Sequence, residues 1–101
     1  MNSEQIERLD PEVLLDVAAD MRSELDSVQE QMAQLTWENK RAHTLKTIFG
    51  TDPLTRERFN MLHDSIDQFA GKMAGLHEEE RLLTTWLDRC RELLQAERKA
   101  A

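Results

Sequence analysis

Two heptad stripes constrain this chain more than any other feature. The first runs Leu14, Ala18, Met21, Leu25, Val28, Met32, Leu35, Asn39, Ala42. The second runs Phe59, Leu62, Ile66, Phe69, Met73, Leu76, Glu80, Leu83, Leu87, Cys90, Leu94. Each alternates steps of three and four residues, the spacing that keeps a narrow apolar seam turned toward a partner helix. A single turn signal, Phe49-Gly50-Thr51-Asp52-Pro53, separates them. The pattern predicts an all-α fold, a long antiparallel helical hairpin of coiled-coil type. It leaves little room for an active site.

Local signals set the boundaries of one domain over residues 1–101. Residues 1–9 read as a polar tail with Ile6 and Leu9 as its anchors. Helix 1 is expected over 10–49: Asp10 suits the cap, Pro11 the first helical position, and Leu9 and Leu14 are spaced for a hydrophobic staple. Residues 50–52 form the turn, with Gly50 as a left-handed terminator. Asp52-Pro53 repeats the start signal, so helix 2 is expected over 53–98. Gly71 and Gly75 each cost about 1 kcal/mol relative to alanine and mark where a kink over 71–75 would fall. The unbroken phase of the stripe favours one helix, and the small residues at 70, 71, 74 and 75 would then suit a close helix crossing. With residue 49 facing residue 53, Asn39 should lie near Leu62 and His63, and Glu80 near Met21 and Arg22. Glu80 would find Arg22 or Arg81 as an exposed partner, while Asn39 would either fix register and oligomer state or simply sit where the seam is wet.

A hairpin buries only its seam, and several large apolar residues fall beside it: Leu15, Val17, Trp37, Leu45, Ile48, Leu54, Met61, Leu82, Trp86 and Leu93. They are densest where Val13-Leu14-Leu15 and Val17 should approach Leu82, Trp86 and Leu93. That excess width predicts a further partner. The interaction surface is therefore assigned to Leu15, Val17, Trp37, Leu82, Trp86 and Leu93, with Trp86 as its anchor and Trp86→Ala expected to weaken association more than Trp37→Ala. A bland alternative is that these side chains pack in a homodimeric four-helix bundle or beneath the N-terminal tail. The reading predicts a homodimer and a heterologous protein partner.

Charge is distributed unevenly. Residues 1–38 hold ten acids against two bases, and residues 39–58 hold five bases against two acids. Lys40, Arg41, Lys46, Arg56 and Arg58 give the hairpin a basic tip, a secondary candidate for docking an acidic groove. The simplest role for Lys46 is to complement the dipole at the end of helix 1. A net charge of −7 argues against a nucleic-acid partner. No apolar run approaches a membrane span, and the first residues lack the features of a signal peptide. With one cysteine, Cys90, on the stripe as a small core residue, a reducing cytoplasm is expected.

Catalytic constellations are not apparent. His77 is followed by three glutamates, but Arg81 stands where a zinc-binding His-Glu-x-x-His motif needs its second histidine. His43 and His63 should face each other across the hairpin, with no carboxylate or cysteine to complete a metal site. No phosphate loop and no nucleophile-base pair is present. The sequence thus points to a non-enzymatic interaction module without metal or cofactor, acting as an inhibitor or anti-activator, an adaptor or a chaperone. The alternative is a purely structural dimerising rod. A helical carboxylate-metal enzyme ranks far below both.

Overall fold

The computed structural model describes residues 3–50 and 52–100. Met1 and Asn2 of the expected tail, Thr51 of the turn and Ala101 lie outside them. Helix α1 spans Ser3–Glu7, α2 Pro11–Phe49 and α3 Arg56–Ala100, with a 3-10 turn at Pro53–Thr55. No strand occurs among the described residues, and α2 and α3 form a helical hairpin. Helix α3 runs without interruption through Gly71 and Gly75.

Local chemistry explains the ends. The Asp10 carbonyl accepts the first helical bond of α2 from Leu14 N at 2.8 Å. Asp52 caps the 3-10 turn with its side chain, Oδ1 accepting from Leu54 N at 2.9 Å. Thr55 ties this turn back to α2, its hydroxyl lying 2.7 Å from the Phe49 carbonyl and 3.0 Å from that of Asp52. One orphan carbonyl at the end of α2 is thereby satisfied.

Gly50 is not a left-handed terminator, because no described glycine has a positive φ. Its requirement is steric. A Cβ there would sit 3.0 Å from the Lys46 carbonyl and 3.1 Å from the Phe59 ring. Gly71 and Gly75 do not mark a close crossing within the chain, since a Cβ on either meets nothing within 4 Å.

The chain divides into two compact units, residues 1–29 with 78–101, and residues 30–77. In the first, α1 joins the beginning of α2 and the end of α3. Its core consists of Ile6, Leu14, Met21, Leu25, Val28, Leu83, Leu87 and Cys90. Ile6 and Cys90 are fully enclosed. Residues 3–9 are therefore more than a polar tail. Burial of Ile6 anchors the short helix to this unit, and Glu7 adds an ion pair to Arg89.

The second unit is a bare pair of helices joined by the turn. Among its described residues Ala42 is the one buried apolar side chain. Met32, Leu35, Phe49, Phe59, Leu62, Ile66, Phe69, Met73 and Leu76 all occupy the seam, and all are half-buried. The spacing is as regular as in the first unit, so the difference is geometric. Two helices have no third element to close the groove on either side of their seam.

The register differs from the expected one. In the first unit Glu80 accepts a hydrogen bond from Gln29 at 3.4 Å rather than lying beside Met21 and Arg22. Arg22 instead pairs with Asp26, and Arg81 with Glu78. In the second unit Asn39 does share a groove with Leu62, as expected, and Ser65 and Phe69 line it too. The 3-10 turn is the cause. It uses Pro53–Thr55 in reversing the chain, so Phe49 meets residues near Phe59 rather than Pro53.

Candidate interaction surface

The six apolar residues assigned to an interaction surface fall into three situations. Leu82, Trp86, Leu93 and Val17, all in the first unit, are half-buried. Leu15 remains exposed on the same unit. Trp37 lies in the second unit and is 61% exposed. Part of the expected strip is occupied from within the chain. Glu7 of α1 reaches Arg89, and Leu9, Pro11 and Leu14 line a shallow groove with Leu93 and Ala96.

The larger exposed apolar surface lies elsewhere. Ile48 is 63% exposed, Met61 66% and Leu54 93%, and all three belong to the second unit with Trp37. This unit is also electrically different. Residues 30–77 hold six acids and six bases, whereas residues 1–29 and 78–101 hold fourteen acids against seven bases. The whole net negative charge belongs to the first unit. The second is neutral, has a half-buried seam, and displays large apolar side chains to solvent. Such surface is a marker of protein contact.

Most of these side chains share one more regularity. On α2, Val13, Val17, Asp20 and Glu24 in the first unit and Arg41, Leu45 and Ile48 in the second follow the three-four rhythm beside the seam. Leu54 of the 3-10 turn, then Arg58, Met61 and Lys72 of α3 in the second unit and Glu79, Leu82 and Trp86 in the first do the same. These are the flanking positions that meet on one side of an antiparallel pair. Leu15 and Trp37 fall outside this second stripe. The common phase of its apolar members is hard to see in the sequence, because the stronger seam carries the same period one position away.

Two of the five basic tip residues are engaged within the chain. Lys46 Nζ lies 5.2 Å from the Phe59 ring centroid and 2.8 Å from His63 Nδ1. Arg58 lies over the Phe49 ring at 5.8 Å. Both cations thus hold the two helices together at the turn. Lys40, Arg41 and Arg56 are exposed and take part in no ion pair among the described residues. Lys40 and Arg41 flank Trp37 in a surface depression completed by Thr44 and Leu45.

The remaining polar candidates make contacts within the chain. His63, stacked on Phe59 with centroids 6.5 Å apart, places Nε2 3.3 Å from Asp67. With its proton on Nε2 the ring donates to Asp67 and accepts from Lys46 at Nδ1. Glu78, which a metal reading would have used, is bonded by both Nε and a terminal nitrogen of Arg81 at 3.1 and 2.6 Å. That bidentate contact holds its carboxyl below the usual range. No group of three histidine, cysteine or acidic side chains gathers among the described residues. Burial pushes the Cys90 thiol up, away from the thiolate that nucleophilic chemistry needs. Among the described residues no helix is long and apolar enough to cross a membrane.

No family model, curated protein or solved structure matches the chain.

Proposed function

We propose that this protein is a non-enzymatic interaction module that works by packing an apolar helix face against another protein. The observation that carries this reading is the contrast between its halves. The first unit closes a core of eight apolar side chains, and the second leaves its seam half-wet with Ile48, Leu54, Met61 and Trp37 exposed. A neutral surface of this kind gains free energy when another helix covers it, at about 25 cal/mol per Å² of apolar area. The contact surface proposed is centred on the second unit, and Trp86, Leu82 and Val17 form a separate apolar candidate on the first. Inhibitor or anti-activator, adaptor and chaperone are all forms of such steric occupation. They require no turnover, metal or cofactor, and suit a reducing cytoplasm in which Cys90 remains a thiol.

A structural dimerising rod is the second reading. The three-four phase of the flanking stripe favours it, because that is the spacing of helix-on-helix assembly.

Photocrosslinking residues placed at Ile48 and Met61, with Asp67 as a control site, test the main reading in the native cell. Capture of protein at 48 and 61 but not at 67 is the expected outcome. Equal capture at all three, or none, removes it.

A further inference from the structure

The flanking stripe carries charge in an order that selects its occupant. In the second unit its bases are Arg41, Arg58 and Lys72, with Glu38 as the exception. In the first its acids include Asp20, Glu24 and Glu79, and the one base, Arg89, is engaged by Glu7 and Glu92. Apolar side chains accompany both sets, Leu45, Ile48 and Met61 with the bases and Val17, Leu82 and Trp86 with the acids. Each unit therefore presents what the other lacks: an apolar surface edged by charge of opposite sign.

The geometry points to a second copy of this chain as the occupant, docked antiparallel so that the basic-apolar face of one second unit covers the acidic-apolar face of the partner's first unit. This rests on the reading above that the flanking face is a protein contact, and it adds the partner and the direction. A parallel pair would set Arg41, Arg58 and Lys72 against their own copies, and Asp20, Glu24 and Glu79 likewise. Like charges placed in this way oppose association, whereas the antiparallel pair makes every such contact attractive. A twofold axis repeats the contact and closes the assembly at two copies, as an isologous dimer. A second copy seated there gives the half-wet seam of the second unit the neighbours it lacks.

Sedimentation equilibrium of the purified chain gives the first result: a two-chain mass at micromolar concentration, with association weakening as salt is added. Arg41→Glu combined with Lys72→Glu should raise the dissociation constant at least about tenfold. An equimolar mixture with the Asp20→Lys, Glu24→Lys chain should restore tight pairing. Direction is read by disulfide trapping in a Cys90→Ala background. Chains carrying Ile48→Cys should cross-link to chains carrying Val17→Cys much faster than to each other. A one-chain mass up to about 100 µM overturns the proposal, as do charge variants that pair like the original chain. Preferential Ile48→Cys self-linking overturns it too, in favour of a parallel dimer. A one-chain mass together with protein capture at 48 and 61 in cells would reject the second copy and retain the interaction module.

Discussion

The ammonium of Lys46 on α2 lies 5.2 Å from the centroid of the Phe59 ring on α3. Arg58 returns the contact from α3 to Phe49 of α2 at 5.8 Å. Each helix supplies one cation and one ring to the other, so the two contacts cross at the turn. At exposed sites such pairs contribute about 0.5–1 kcal/mol each. They form because the 3-10 turn sets a register that brings Phe59 and Arg58 of α3 to the end of α2.

Gly50 is the small residue that this arrangement requires. Replacing it by alanine brings a Cβ to 3.1 Å from the Phe59 ring and 3.0 Å from the Lys46 carbonyl. Gly50→Ala should lower stability by about 1–2 kcal/mol in urea unfolding. Gly50→Asn should be at least as damaging, since no positive φ is there for asparagine to favour. A better-tolerated asparagine would restore the left-handed explanation.

Thr55 clasps the turn through its hydroxyl, 2.7 Å from the Phe49 carbonyl. Thr55→Val keeps the shape and removes the donor, and should cost about 1 kcal/mol. Thr55→Ser should cost clearly less. Equal urea midpoints for the two variants would show that the hydroxyl contributes nothing.

Helix α1 is seated by fully buried Ile6 and by the ion pair of Glu7 with Arg89. Ile6→Ala should release it, with a loss of up to about 3 kcal/mol and fast hydrogen exchange over residues 4–9. Glu7→Gln should have a smaller effect, because the pair is solvent-exposed. Unchanged exchange in Ile6→Ala would mean that α1 is held by something else.

Gly71 faces open space in the middle of α3. Gly71→Ala should stabilise the protein by about 0.5–1 kcal/mol, through helix propensity and a less free unfolded chain. A lower melting temperature for this variant would reveal a close contact at that face in the assembled protein.

Cys90 gives a pH signature. Burial holds its thiol above the ordinary 9.0, so the folded state keeps the proton that the unfolded chain gives up. The resulting stability is fully present below pH 9.0 and is lost as pH rises from there through the folded value. Urea midpoints between about pH 7 and 10 should therefore fall more steeply for the original chain than for Cys90→Ala. Parallel slopes would show that the thiol does not contribute.

The legible parts of this fold are those set by period and local capping. Every residue of both stripes is buried or half-buried, because a three-four repeat leaves a helix one face to turn inward. Pro11 opens α2 and Asp52 caps the turn, since each signal acts within a few residues of itself. The register was not legible. It depends on whether Pro53–Thr55 coils as part of α3 or as a separate 3-10 turn, a small local difference that moves Glu80 from Arg22 to Gln29. The ring contacts of Lys46 and Arg58 are not legible for the same reason, since only the register brings each over a ring.

What the sequence determined by itself is the pair of long helices, their common seam and the uneven charge along them, all properties of one chain read residue by residue. What only the tertiary structure decided is which half is finished. Seating Ile6 closes a core around Leu14, Leu87 and Cys90 in one unit, and no described residue does the same for the other. Burial depends on how many elements surround a seam, and no period along a single helix records that number.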